Sequence, residues 1–145
     1  MNLHRVVYYS MAAPGLSMKD VDEILKKSNE KNKRLFLSGG LLYCQGVFIQ
    51  VLEGGLTELN ELLIKLYADV RHQTITILEF VPIQKRQFEG WEMSMVFFNS
   101  SRDFQDEYMK YSSTSEFHPR FLNAPQWTEL IQDLLIQKRL KSRKV

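Results

Sequence analysis

The sequence is poor in the residues that build disulfide frameworks and metal centres. Its 145 residues include one cysteine, Cys44, and three histidines that lie far apart. A single thiol excludes an intrachain disulfide. The spacing between the cysteine and the histidines is not that of zinc ligands, nor that of a catalytic nucleophile beside its base. We therefore expect no metal site and no triad-type catalysis, and we interpret Cys44 as a small core residue.

Long apolar runs and phosphate-binding loops are also missing. No stretch approaches the roughly 18 apolar residues of a membrane span. The short apolar N-terminus contains His4 and Arg5 and lacks a signal-peptide pattern. The glycine pairs at 39–40 and 54–55 are typical of turns rather than of a phosphate-binding loop. These absences predict a cytoplasmic protein with no membrane partner.

Positive charge is concentrated at one end of the chain. The net charge is +2, but the last eight residues, KRLKSRKV, contain five basic residues and no acidic one, so the remainder is mildly acidic. Because nucleic-acid-binding domains carry a broader basic surface, we expect no nucleic-acid partner. We interpret the basic tail as a solvated helix end, with a weak site for an acidic partner or a membrane surface as the alternative.

Strand and helix patterns alternate along the first two thirds of the chain. Apolar and β-branched runs, the first from Leu3 to Tyr9, predict five strands, and apolar residues at helical spacing predict two helices between them. Ser17 and Asp20 predict a capping box for the first helix, and Thr57 predicts a cap for the second. The order β-α-β-β-α-β-β predicts an α+β, ferredoxin-like sheet with both helices on one face.

The last third of the chain predicts helices that cover the other face of this sheet. A short helix is expected from Ser100 to about Ser112, followed by a loop that runs to Gln126. An amphipathic helix follows, with its apolar stripe between Trp127 and Leu135. Because an uncovered sheet face must be buried against another layer, these helices are its expected cover.

One polar residue interrupts an apolar row of a predicted strand. In GVFIQVLEG, Gln50 lies between Phe48 and Leu52 on one strand face, because successive side chains alternate. A buried amide without partners costs about 1–3 kcal/mol, so Gln50 requires a partner. The first and third strands are central neighbours in this topology, which places Tyr8 within reach.

The predicted helices add further polar groups near Tyr8 and Gln50. These are Ser28, Asn32 and Asp69. Each has an ordinary structural interpretation, such as a core tyrosine bonded to a carbonyl or an asparagine that caps a helix C-terminus. Together, between two leucine-rich helices, they predict a slot for a planar ligand that is hydrogen-bonded along one edge.

The chain also resembles a known family over about two thirds of its length. The segments LHRVVYYS, DVDEILKKSNEKN, SGGLLYCQGVFIQVLEG, DVRH and ILEFVPIQKRQFEGWEM resemble the BLUF domain, the blue-light sensors that use FAD. The resemblance implies a flavin ring between the two helices, with FAD as cofactor or FMN or riboflavin in its place. It divides the chain into a BLUF domain at 1–98 and a helical extension with a basic tail at 99–145.

The resemblance also implies roles for individual residues. Tyr8 matches the family's photoactive tyrosine, Gln50 its switching glutamine, and Asn32 the asparagine that bonds the pyrimidine edge of the flavin. Trp91 and Met93 match the pair on the last strand that responds to the glutamine. Met93 is also expected to contact flavin, and the remaining residues expected to do so are Ile24, Ser28, Lys31, Phe48, Lys65, Leu66, Asp69, Arg71 and His72.

The function implied by the resemblance is blue-light reception without a catalytic output. Light would drive electron and proton transfer from Tyr8, and a rearranged Gln50 would act through the last strand on the C-terminal helices. A downstream signalling protein and a homo-oligomer are the expected partners. The alternative is a flavin-free interaction module on the same fold. The chain departs from the family pattern at Phe36, where glycine is usual, and at Lys31.

Overall fold

The computed structural model describes residues 2–70, 72–88 and 94–143, without the side chains at positions 72, 73, 142 and 143. Within these ranges, the strands are β1 Leu3–Ala12, β2 Ser38–Cys44, β3 Val47–Gly55, β4 His72–Pro82 and β5 Ser94–Phe98. The helices are α1 Met18–Arg34, α2 Leu56–Ala68, α3 Gln105–Tyr108 and α4 Ala124–Arg143, with a 3₁₀ turn at Ser101–Phe104. No helix among those described is long and apolar enough to cross a membrane.

The five strands form one mixed sheet in the order β4-β1-β3-β2-β5. Antiparallel pairing joins β4, β1, β3 and β2, whereas β5 runs parallel to β2. The central neighbours are β1 and β3, and their register places Tyr8 directly opposite Gln50. The predicted α+β, ferredoxin-like sheet is therefore confirmed, including the adjacency of its first and third strands.

Strand alternation divides the interior into two hydrophobic cores, one on each face of the sheet. Phe48 and Leu52 of β3 pack with Tyr8 and with apolar residues of α1 and α2. The alternate β3 residues, among them Ile49 and Val51, pack on the opposite face against the 3₁₀ turn, α3 and α4. Cys44 is a buried free thiol in this second core, as expected of a small core residue.

The C-terminal helix covers the second face through the predicted apolar stripe. Its five stripe residues are Trp127, Leu130, Ile131, Leu134 and Leu135, and all of them are buried. The indole Nε1 of Trp127 donates to the Pro119 carbonyl at 2.8 Å, so its polar atom is satisfied as well. Each such side chain contributes roughly 1.5–3 kcal/mol on burial, which makes this helix an integral part of the fold.

Helix starts were predicted with mixed success. Ser17 and Asp20 form the expected capping box, and Ser100 caps the 3₁₀ turn. The Thr57 cap is wrong: Gly55 is the N-cap of α2, because β3 remains paired with β1 through Gly55 and the chain turns into the helix at once.

The C-terminal boundaries also differ from the expectation. The short helix ends at Tyr108 rather than near Ser112. The predicted loop to Gln126 is too long, since α4 begins at Ala124. Asn123 and Gln126 each accept the other's backbone N–H at 2.9 Å, a reciprocal cap that starts the helix earlier.

Phe36 occupies a backbone conformation that favours glycine. Its φ is 55°, and it follows the last turn of α1. The Phe36 N–H donates to the Lys33 carbonyl at 3.3 Å, and the Leu37 N–H donates to the Asn32 carbonyl at 2.8 Å. These two bonds define a Schellman motif, in which the residue at this position is usually glycine. At the position where the family usually has glycine, Phe36 therefore adopts the left-handed backbone conformation although it carries a bulky side chain.

Candidate functional site

The centre of the sheet presents a tyrosine and a glutamine to the α1–α2 face. The Tyr8 hydroxyl donates to Oε1 of Gln50. Tyr8 is buried, and this burial raises the pKa of its phenol far above the ordinary value, so the hydroxyl keeps its proton. The partner that the sequence required for Gln50 is thus Tyr8, on the neighbouring strand.

A slot between α1 and α2 lies over this pair. Its cavity volume is about 180 Å³. Because ligand pockets usually measure about 300–1,000 Å³, the slot would enclose only part of a ligand of ordinary size. Its lining combines apolar helix residues with polar ones, namely Tyr8, Ile24, Lys27, Ser28, Lys31, Asn32, Gln50, Leu62, Lys65, Leu66 and Asp69.

The side chain of Asn32 indicates that the slot takes a polar ligand. Asn32 is 1% exposed, and neither Nδ2 nor Oδ1 has a hydrogen-bond partner among the described residues. The alternative role as a helix C-cap does not apply, because α1 continues to Arg34 and Leu35 is its C-cap. A buried amide left unpaired costs about 1–3 kcal/mol, so a ligand edge with a donor and an acceptor fits this site.

Two lysines from different helices lie close together at the slot. Lys31 is on α1 and Lys65 is on α2. Partial burial, and then the nearby Lys65 ammonium, lower the pKa of Lys31, while Glu61 acts in the opposite direction. Because like charges repel, an anionic substituent of a ligand would be favoured between these ammonium groups.

The structure brings together most of the predicted ligand contacts but not all of them. Phe48 is buried in the core beneath the slot instead of lining it. Arg71, Trp91 and Met93 lie outside the described residues, as does the side chain of His72. Two lining residues were not predicted. Lys27 lies four residues before Lys31, and Leu62 lies four before Leu66, so helical spacing from a predicted residue would have found both.

A second and larger concavity lies at the β5 edge of the sheet. It is a groove of about 640 Å³ between β5 and α4. Lys138 of α4 reaches into it and donates to the Met95 carbonyl at 2.6 Å. Among the described residues that line this groove, none is a buried polar group without a partner. The smaller slot, with its unpaired Asn32, is therefore the better ligand site.

Fold and slot together define a class: a ferredoxin-like α+β domain with a polar slot for a flat ligand between its two helices. The family model described as "BLUF: Sensors of blue-light using FAD" matches residues 3–94. The chain belongs to this family of flavin-using blue-light sensors. The resemblance deduced from the sequence is thereby confirmed.

Curated proteins and solved structures agree with this membership. Photoactivated adenylate cyclase subunit beta of Euglena longa is 33% identical over 93 residues, which are 63% of this chain and 11% of that protein. The photo-activated state of BlsA matches with a TM-score of 0.78 at 26% identity, over 92% of this chain and 95% of that one. The dark state of BlrB matches with a TM-score of 0.67 at 29% identity, over 75% of this chain and 80% of that one.

Proposed function

We propose that this protein is a blue-light photoreceptor whose flavin lies in the α1–α2 slot and whose switch is the Tyr8–Gln50 pair. One observation carries the proposal: the Tyr8–Gln50 hydrogen bond lies at the floor of a slot whose wall holds the unpaired amide of Asn32. FAD is the proposed cofactor on the family description, with FMN or riboflavin as the other flavins that the slot would hold.

The residues present fit a flavin ring. Asn32 offers one donor and one acceptor to the pyrimidine edge, and Ile24 and Leu66 supply apolar contact to the ring faces. Ser28, Lys31, Lys65 and Asp69 complete the lining that we assign to the cofactor. We keep Phe48 as a residue that supports the floor, and Arg71 and His72 as contacts expected from the resemblance.

Tyr8 is the proposed electron and proton donor. A bound flavin supplies blue-light absorption and an excited state that accepts an electron from a phenol. Burial keeps Tyr8 protonated in the dark, so its proton is already directed at Gln50 Oε1. Loss of an electron makes a phenol a much stronger acid, and the proton then moves along the existing hydrogen bond to Gln50.

Gln50 is the proposed switch, because a carboxamide both donates and accepts hydrogen bonds. Receipt of the proton lets the amide reverse its bonding pattern by rotation or by tautomerisation. When the electron and proton return to Tyr8, the reversed pattern remains. One exchanged hydrogen bond is worth about 0.5–1.5 kcal/mol, so the output must be a small bias on a bistable element.

The proposed output leaves through the last strand and α4, with Trp91 and Met93 as the responding residues implied by the family. We propose 1–98 as the sensing domain and 99–145 as its output extension. The Euglena relative is a subunit of a photoactivated cyclase, which supports a signalling role. In this protein we propose an output through contacts with a downstream protein or a homo-oligomer, without catalysis of its own.

Visible absorption of the purified protein, in darkness and after blue light, tests the proposal. We expect a flavin spectrum that shifts to the red and returns in darkness. Tyr8→Phe and Gln50→Glu should retain flavin and lose the shift. Tyr9→Phe is the matched control, because Tyr9 faces the opposite core and accepts a 2.7 Å hydrogen bond from Arg120. A protein that cannot be reconstituted with flavin would instead favour the flavin-free interaction module.

A further inference from the structure

A buried carboxylate on β3 gathers hydrogen bonds from two distant parts of the chain. Glu53 is completely buried. Its Oε2 accepts from Nε of Arg5 at 3.0 Å and from Nη2 of Arg5 at 2.7 Å. Its Oε1 accepts from the backbone N–H groups of Gln87 and Phe88, both at 2.9 Å. A buried charge persists only when it is paired and hydrogen-bonded, and both oxygens of Glu53 meet that condition.

The residue before Gln87 adds further hydrogen bonds through its guanidinium group. Arg86 donates through Nη1 to the Ser38 hydroxyl and to the Glu53 backbone carbonyl, both at 2.8 Å, and through Nη2 to the Phe36 carbonyl at 2.7 Å. We call residues 86–88 the clasp. The clasp is thus attached to β3, to the first residue of β2 and to the segment that ends α1.

The clasp is also in contact with α4. Gln132 of α4 donates through Nε2 to the Gln87 carbonyl at 2.9 Å. Phe88 is buried in the core that α4 covers. A Cβ atom built on Gly40 would lie 2.8 Å from Ile131 and 3.2 Å from Phe88, so glycine is what allows β2, the clasp and α4 to meet so closely. Clasp and α4 are therefore one packed unit.

The position of Glu53 connects this unit to the proposed switch. Gln50 and Glu53 are on the same strand, three residues apart, and their side chains point to opposite faces of the sheet. Charge-assisted hydrogen bonds are short and directional, so they hold the clasp firmly on the end of β3. The clasp then meets α4 through one neutral hydrogen bond and the packing of Phe88, which are the weaker contacts in this series.

We propose that Glu53 is a positioning residue that holds the clasp on β3, and that the Gln132–Gln87 hydrogen bond passes a displacement of β3 to α4. This inference rests on the proposed function, since it requires a light-driven change at Gln50. It adds a second connection to α4 that is independent of the last strand. Glu53 has no contact with the slot, so its effect is on transmission and not on the photochemistry.

Hydrogen–deuterium exchange of α4 tests the proposal on the full, flavin-loaded protein in darkness and under blue light. Gln132→Met keeps the length of the side chain and removes its donor. Gln137→Met is the matched control: the same substitution on the same helix, at a residue that lines the β5 groove and makes no described contact with the clasp. Glu53→Gln is the second test variant.

We expect the red shift of the flavin to be unchanged in Gln132→Met, while the light-to-dark ratio of exchange rates in α4 moves toward 1 by about twofold or more relative to wild type. Gln137→Met should keep the wild-type ratio. Glu53→Gln, if it folds and binds flavin, should keep the red shift and move the ratio toward 1 as Gln132→Met does. A wild-type ratio in Gln132→Met would overturn the inference, whatever Glu53→Gln shows.

The wild-type protein separates the two levels of failure. If it shows no red shift, the proposed function fails before any variant is measured, and the inference falls with it. If it shows the red shift but no light-dependent change in α4 exchange, the proposed photochemistry stands and the transmission to α4 is refuted.

Discussion

Replacement of Asn32 by leucine separates a ligand-binding role from a structural one, because the two roles predict opposite signs. Leucine has the same branching and the same number of side-chain heavy atoms as asparagine, although it is bulkier, and it lacks the polar atoms. In the flavin-free protein the Asn32 amide is buried and unpaired among the described residues, so its removal should stabilise the fold. The full penalty for such a group is about 1–3 kcal/mol. Because the polar slot is large enough to admit water, we expect the low end, about 1 kcal/mol.

Flavin binding should change in the other direction. Asn32→Leu removes up to two hydrogen bonds and leaves the polar ring edge facing an apolar group, which costs about 1–3 kcal/mol of binding free energy. At about 1.4 kcal/mol for each tenfold change, the dissociation constant should rise by roughly 5- to 150-fold. Urea denaturation of the flavin-free protein and fluorescence titration with flavin measure the two effects separately.

Asn29→Leu is the control for this pair of measurements. Asn29 is on the same helix and has a buried Oδ1 without a partner among the described residues, but it does not line the slot. It should leave flavin affinity unchanged. If Asn32→Leu instead destabilised the flavin-free protein and left flavin affinity unchanged, Asn32 would be a structural residue and the ligand assignment would be refuted.

Three further predictions follow from the backbone and the charges. Phe36→Gly should be more stable than Phe36→Ala by about 0.5–1 kcal/mol in urea denaturation, because only glycine adopts a positive φ without strain. Leu35, with φ of −94°, is the control, and there the alanine variant should be more stable than the glycine variant. Lys65→Gln should weaken FMN binding more than riboflavin binding in a titration at low salt, since it removes half of the Lys31–Lys65 pair; equal weakening would contradict this. Because burial raises the pKa of Tyr8, its phenol should add nothing to the pH dependence of folding stability below pH 10. Above pH 10 it should lower stability, as only the unfolded phenol ionises, and Tyr8→Phe should make the alkaline fall in stability shallower than in wild type.

Features that depend on neighbouring residues were predictable from the sequence. The alternation in β3 placed Phe48, Gln50 and Leu52 on one face, and the structure shows the two cores that this implies. The capping box at Ser17 is of the same kind, since its bonds join residues three positions apart. The wrong cap at Thr57, in contrast, has a non-local cause. Thr57 matched the cap pattern, but continued pairing of β3 with β1 through Gly55 decided where the helix begins.

Contacts between distant segments needed the tertiary structure. The alternation also places Glu53 on the α4 face, but no local pattern indicates that the backbone N–H groups of Gln87 and Phe88 would meet its carboxylate. The closeness of Lys31 and Lys65 likewise follows from how α1 and α2 sit on the sheet. Such contacts join residues that are far apart in the sequence, and a periodic pattern within a short segment carries no information about them.

The sequence by itself determined the order of strands and helices, the faces that each of them buries, and the family. Hydrophobic periods of two and of 3.6 residues are properties of short segments, so they can be read without knowledge of the rest of the chain. Only the tertiary structure decided that the Asn32 amide is left unpaired in the slot and that Glu53 joins β3 to the clasp. Whether a polar group is paired depends on every segment packed around it, and that information exists only once the whole chain has folded.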